Sequence, residues 1–307
     1  MTWLQALLLA LAGALAALTL TGRRGRAWSW RLTRNVLLGG ACLLTLIPFV
    51  WLACMAVKAQ QVAQQYAFLP PPWEWSSATI NFDNFRQLFC GHAPGEPPFW
   101  RYGLNSLFLA CTATLVQVVL CSMAGWALAK QRFRFRGALT VFVLGSMAIP
   151  SMVLLAPLYR ITYELGWLDT WLPLLVPGAV SAFGVFLFRQ AAQSVPDELI
   201  EAARIDGAGE LRTYLQIGMP LVRPMTGAFC LISFLGQWNS FLPPQIYLSR
   251  SDLLTLPVVL NQYVGLYTNQ YGVFLAGTLI AIIPPAVLFF ALQREFISGL
   301  TSGAVKG

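Results

Sequence analysis

A chain of 307 residues in which 57% are hydrophobic and only 10% charged has too little polar surface to cover a water-soluble globule, so most of it must be solvated by lipid. The formal net charge of +8 comes from 20 basic against 12 acidic residues, and the basic ones gather between apolar runs, which makes the excess a signal of topology and argues against nucleic acid as a partner. One histidine, His92, and apolar runs whose single charged residue is Arg223, at the third position of one of them, also argue against a polytopic membrane enzyme and an ion-coupled carrier, both of which place titratable groups at membrane depth.

A helix rises about 1.5 Å per residue and the hydrocarbon core is about 30 Å thick, so spans should be runs of roughly 20 apolar residues. Seven such runs predict an all-α polytopic transmembrane bundle: Thr2 to Leu20, Val36 to Val57, Leu104 to Ala129, Ala138 to Leu158, Trp171 to Phe188, Leu221 to Ile246 and Val273 to Leu292. None alternates as barrel strands do. In the first run the positive cluster Arg23, Arg24, Arg26 follows the apolar stretch, whereas a secretion signal carries its charge before it. The expectation is a retained helix with its amino terminus outside, so that residues 1–35 form an extra helix with a basic linker ahead of a transmembrane domain over 36–307.

The next segment, Ala59 to Gly103, carries Pro70, Pro71, Pro72, Trp73 and Trp75 and the turn signal Pro94-Gly95. It fits either aromatics resting at the headgroup level or a folded cap over the helices. Further along, Pro150, Pro157, Pro173, Pro177, Pro243, Pro244, Pro284 and Pro285 lie within spans; each lacks a backbone donor, so those helices should bend or break. Six cysteines, Cys42, Cys54, Cys90, Cys111, Cys121 and Cys230, are scattered without a CxxC pair, and all but Cys90 sit in apolar runs. They read as small apolar residues, and no metal or cofactor is expected.

Cytoplasmic loops retain Lys and Arg. With a cytoplasmic carboxyl terminus, 15 of the 20 basic residues fall inside, and only Lys58, Arg86, Arg101, Arg160 and Arg250 fall outside. The segment from Gln190 to Pro220 is then cytoplasmic. Ser194-Val195-Pro196-Asp197 reads as a helix start in which the Ser194 hydroxyl accepts from the Asp197 amide. A helix from Asp197 to Asp206 should stop at Gly207, and a second should resume from Glu210 to Ile217 after Gly209. Two short helices joined by a glycine elbow result, unless the segment is an ordinary surface helix pair.

Within the elbow stand Glu201-Ala202-Ala203, three residues, Gly207, nine residues, and Ile217-Gly218-Met219-Pro220. This spacing resembles the cytoplasmic EAA loop of bacterial ABC-importer permeases; Met219 replaces a leucine at nearly constant volume. The resemblance extends to the carbohydrate-uptake branch and its smaller maltose-type membrane subunit, through Tyr102-Gly103-Leu104-Asn105-Ser106-Leu107, Trp238-Asn239-Ser240-Phe241-Leu242 and the tail from Gly299 to Gly307. It covers most of the chain from residue 36 onward. The first run has no counterpart in that subunit's six-helix pattern.

The resemblance implies a permease of the bacterial plasma membrane that imports a sugar or sugar-like solute. Its partners would be an ATPase subunit dimer, a second similar permease and an extracytoplasmic solute-binding protein. Glu201, Ala202, Ala203, Asp206, Gly207 and Pro220 would couple to the ATPase: Glu201 against a basic partner group, the alanines allowing close approach, Gly207 making the turn. The chain has no GxxxxGK[ST] sequence with which to cradle phosphates itself. Asn105, Gln117, Gln237, Trp238 and Asn239 are polar or aromatic groups within spans; they fit either a solute pathway or interhelical hydrogen bonds that fix packing.

Overall fold

A computed structural model describes residues 22–63, 65–90, 96–265 and 268–302. The first apolar run, His92, Pro94-Gly95 and the last five residues of the tail lie outside the described residues. Among the described residues helices dominate, accompanied by a two-residue antiparallel pair, β1 (Val264–Gly265) and β2 (Thr268–Asn269), and an isolated Lys58–Ile80 bridge. The chain divides into two compact units, one ending at Asn81 and one beginning at Phe82.

In the first unit, α1 (Gly22–Val57) contains the expected second run and carries Pro48 without ending there. The loop that follows folds back on the end of α1: Asn81 N–H donates to the Val57 carbonyl at 2.9 Å and Ala59 N–H to that of Thr79 at 3.1 Å. Lys58, fully buried, donates its Nζ to the carbonyls of Ala63 (3.3 Å) and Tyr66 (2.5 Å). The Trp75 indole donates to Pro70 O at 2.8 Å, while Trp73 stays 83% exposed. The Pro- and Trp-rich segment is thus a self-closed loop.

The second unit runs α2 (Asp83–Cys90), α3 (Phe99–Lys130), α4 (Arg136–Ser146), a 3-10 turn and α5 (Leu155–Glu164), α6 (Leu172–Leu175), α7 (Ala182–Gln193), α8 (Asp197–Ile205), α9 (Glu210–Thr213), a π-helical turn (Tyr214–Gly218), α10 (Met219–Leu221), α11 (Arg223–Trp238), α12 (Leu242–Tyr247), α13 (Leu256–Gln262), α14 (Tyr271–Ala281) and α15 (Ile283–Ser302). The long helix α3 packs against α7 and α11, and α11 packs against α15.

Among the described residues three stretches are long and apolar enough to cross a bilayer, Trp30–Val57, Phe99–Lys130 and Tyr271–Ser298, and two bent pairs raise the number to five. Several expected runs are therefore not single straight spans. The run from Ala138 to Leu158 bends by 92° between Ser146 and Ser151, where Pro150, extended and without an N–H, cannot continue the helix. The run from Trp171 to Phe188 is split into α6 and α7 by the non-helical residues Val176 to Ser181, which include Pro177 and Gly178. The run from Leu221 to Ile246 stops as a helix at Trp238, and α12 restarts on Pro243 and Pro244. Pro284 and Pro285, by contrast, open α15 after a single intervening residue, and α14 and α15 together make one span.

Among the described residues two hydrophobic cores are strung along α3. Near its start Phe99, Tyr102 and Ala110 pack with Leu88, Phe234, Trp238, Leu254 and Leu256. Near its end Val118, Cys121, Trp126 and Leu128 pack with Val185, Phe188, Val195, Ile200, Tyr214 and Phe229. The second core depends on close helix approach at small residues. A Cβ on Gly184 would sit 2.5 Å from the Phe229 ring and 3.0 Å from Cys121 Sγ. Gly184→Leu should therefore force α7 from α11, at a cost of about 1–3 kcal/mol or more. The expected result is a lower thermal midpoint of the detergent-purified protein; an unchanged midpoint would show that these helices are free to separate.

A glycine elbow anchored to the end of the long helix

The elbow begins where α7 ends. Ser194 is not the cap of the following helix, as its position suggested: its hydroxyl donates backward to Ala191 O at 2.7 Å, and Pro196 is the residue before α8. The amide of Asp197 therefore gains no hydroxyl acceptor, and a proline-led start with Asp197 and Glu198 in the first turn complements the helix dipole instead.

Helix α8 stops as expected. Gly207 has φ +80°, Ala208 N–H donates to Ala203 O at 2.9 Å and Gly207 N–H to Arg204 O at 3.0 Å, the paired bonds of a Schellman termination. Arg204 and Glu210 then close the turn from either side, Arg204 Nε and Nη2 donating to Glu210 Oε1 at 3.1 and 2.9 Å. The second leg resumes at Glu210 but passes through the π-helical turn Tyr214–Gly218, and it bends by 80° into α11 after Leu221. Pro220 lies in α10, just before that bend.

Three contacts fix this elbow to the end of α3. Lys130 Nζ, its side chain only 7% exposed, donates to Val195 O and to Asp197 Oδ1, both at 2.6 Å. The Gln131 amide donates to Glu210 Oε2. The Tyr214 hydroxyl shares a hydrogen bond with Ser122 Oγ at 2.7 Å, and Tyr214 lies beside Trp126, whose ring fills the space over Gly218. The Lys130 hydrogen bond, with its charge and those of Arg132 and Arg136, holds the Asp197 carboxyl below its ordinary range; the Gln131 hydrogen bond and Arg204 do the same for Glu210. Arg136 completes the junction, donating to the last carbonyls of α3 at Leu128 (2.8 Å) and Ala129 (2.7 Å).

Of the expected coupling residues, Ala203 is buried in the elbow, while Glu201, Ala202, Asp206 and Gly207 are exposed, as is Pro220 on the second leg. Glu201 lines a cleft of about 500 Å³ with Lys130, Arg132, Arg136, Asp197 and Arg204. Lys130 and Gln131 were not singled out in the sequence; a lysine next to a span reads there only as an inside charge.

The five polar or aromatic residues within spans divide differently. Asn105 Nδ2 donates to Asp252 O and Leu254 O, both at 2.9 Å. Gln117 Nε2 donates to Gly178 O at 2.7 Å, and its Oε1 accepts from Ser233 Oγ at 2.7 Å. The Trp238 indole donates to Ala281 O at 3.1 Å. These three hold helices together. Gln237 is half-buried and Asn239 exposed at the end of α11, and the side chains of both make no hydrogen bond among the described residues.

Comparison with known proteins adds four findings. Residues 118–300 match the family model described as binding-protein-dependent transport system inner membrane component. The chain is 36% identical over 228 residues, 74% of its length and 80% of the relative's, to the arabinooligosaccharides transport system permease protein AraQ of Bacillus subtilis (strain 168). It is 30% identical to the lactose transport system permease protein LacG of Rhizobium radiobacter, over 87% of this chain and 93% of the relative. Its fold is that of a solved bacterial ABC transporter involved in the import of the acidic polysaccharide alginate, with a TM-score of 0.72 at 22% identity over 90% of this chain and 98% of the other.

Proposed function

Because the chain belongs to the family of binding-protein-dependent transport system inner membrane components, we propose that it is the permease subunit of an ATP-driven importer of a neutral carbohydrate, with the elbow from Asp197 to Pro220 as its coupling element. The observation that carries this reading is an elbow clamped to the end of α3 that still exposes large apolar side chains. Its inner side is fixed to α3, yet Leu199, Ile205, Leu211 and Leu215 are 43%, 87%, 61% and 54% exposed. Exposed apolar side chains on both legs of such an elbow call for a partner surface.

That partner is a dimer of separate ATPase subunits on the cytoplasmic side, where the carboxyl terminus also lies. The rest of the assembly is a second, similar permease and an extracytoplasmic solute-binding protein; a related solved structure pairs a bacterial alginate ABC transporter with an alginate pentasaccharide-bound periplasmic protein. Curated relatives are named for arabinooligosaccharides, lactose, maltodextrin and sn-glycerol-3-phosphate. Neutral solutes are favoured here because the Lys and Arg of the described spans, Arg31, Arg34, Arg101, Lys130, Arg136, Arg160, Arg212, Arg223 and Arg294, lie toward the span ends or, for Arg223, at the start of α11, and not at mid-depth, where they could meet a phosphate.

The test is ATP-dependent uptake into vesicles by the complex of this chain with its partner subunits, against a panel of labelled lactose, maltodextrin and glycerol-3-phosphate. Uptake of a neutral sugar, with no ATP turnover by this chain alone, is expected; turnover by the isolated chain would overturn the assignment. In the same assay Glu201→Lys should lower uptake and loosen the ATPase subunits, since like charges facing each other across an interface cost several kcal/mol. A reporter fused after Ala208 should read cytoplasm, and an outside signal would reverse the orientation.

A further inference from the structure

The break within the fifth apolar run is unlike a loop at a membrane surface. Helix α7 has 12 residues, a rise of about 18 Å, which places Ser181 roughly midway through a hydrocarbon core of about 30 Å. Gln117, which holds Gly178 from α3, lies 13 residues before Lys130 at the end of that helix and reaches the same depth, about 20 Å. Irregular backbone at such a depth is tolerated only where protein buries it or where it lines water.

This segment is not buried within the chain. Val176 and Val180 are 47% and 52% exposed, and Pro177 is exposed beside them. Three of its groups are sealed from within: Gly178 O by the Gln117 amide, and Ser181 N–H and C=O by Cys121 Sγ at 3.3 and 3.5 Å. The carbonyls of Pro177, Ala179 and Val180 have no hydrogen-bond partner among the described residues. Gln237 lies alongside, its Nε2 3.8 Å from where a Cβ on Gly178 would be.

We propose that Val176 to Ser181 form part of the wall of the solute passage, and that their free carbonyls and the Gln237 amide hydrogen-bond the hydroxyl groups of the carbohydrate as it crosses. This rests on the importer reading above. Carbonyls accept from hydroxyl donors, and a glutamine amide both donates and accepts, so an uncharged polyol is the solute class this wall fits. Neutral contacts of this kind are each weak, which lets a solute move on rather than lodge. Gln117 is a positioning residue: bonded to Gly178 O and Ser233, it fixes the wall without facing the solute.

Cysteine accessibility tests this in the assembled complex. Val180→Cys and, on α4, Val141→Cys, a position 70% exposed, are treated with a charged methanethiosulfonate reagent, with the parent chain's native thiols subtracted. Uptake before labelling reports that each variant is folded. Val180→Cys should react much faster than Val141→Cys, and its labelling should stop uptake while ATP hydrolysis continues. Equal, slow reaction at both positions in a complex that transports would mean that lipid or the neighbouring permease covers the segment, and the inference would be wrong. Gln237→Leu should raise the uptake KM about fivefold, the loss of roughly one neutral hydrogen bond, with Gln237→Asn partly restoring it; an unchanged KM removes Gln237 from the wall. If the parent complex imports no carbohydrate at all, the importer reading has failed and this inference falls with it.

Discussion

Gly207→Val should cut solute uptake about tenfold or more while leaving membrane insertion and protein level unchanged. Space is not the reason, since nothing lies within 4 Å of where the new Cβ would sit. The reason is the backbone: φ is +80°, a left-handed conformation that costs an L-residue about 1–2 kcal/mol, and a β-branched one more. At about 1.4 kcal/mol per factor of ten, that strain is enough to open the Schellman turn and let α8 and α9 part. Gly207→Asn makes the control, because asparagine enters this region at small cost. The measurement is ATP-dependent uptake at matched membrane levels. Equal transport by the valine, asparagine and parent chains would show that the turn geometry has no part in coupling.

Lys130→Met should be as damaging, by a different route. The ammonium is nearly buried and holds two acceptors at 2.6 Å, but the two differ. Asp197 is 75% exposed on its side chain, so water can replace the lysine there and the ion pair itself contributes little. Val195 is buried, and its carbonyl, left without the lysine, bears the desolvation cost of about 1–3 kcal/mol. The expected pattern is therefore asymmetric: Asp197→Asn transports nearly normally, whereas in Lys130→Met the elbow works loose from α3 and ATP turnover proceeds with little uptake. The ratio of solute imported to ATP hydrolysed reads this directly. Equal and mild effects of the two substitutions would mean that the clamp is dispensable.

The elbow was legible in the sequence because its signals are local. A proline-led acidic start, a small-residue stretch and a glycine at the stop each act within a few residues, and the helix Asp197–Ile205 with its left-handed Gly207 follows from them. The helix start misled for an equally local reason: Ser194 has the chemistry of a cap, but α7 runs on to Gln193, so the serine serves the helix behind it. The fifth run was legible in both respects: its length and apolarity marked a span, Pro173 and Pro177 marked a bend or break within it, and the helix is interrupted from Val176 to Ser181. What could not be read was pairing over distance. The acceptors of Asn105 and Gln117 are main-chain carbonyls 147, 149 and 61 positions away, and every residue has a carbonyl, so no sequence pattern marks them. The burial of Lys130 was hidden in the same way.

Those long separations bear on how the protein is made. Asn105 finds its carbonyls only at Asp252 and Leu254, and Ser106 receives the Leu256 amide 150 positions later. At about 5–20 residues per second the ribosome needs roughly 8 to 30 s to supply them. For that interval the start of α3 has a bare amide and hydroxyl among lipids or insertion machinery, where an unpaired polar group is costly. A nascent chain interrupted before residue 252 should thus be a preferred substrate for membrane proteases, whereas one interrupted after Leu256 has already joined both ends of its first core.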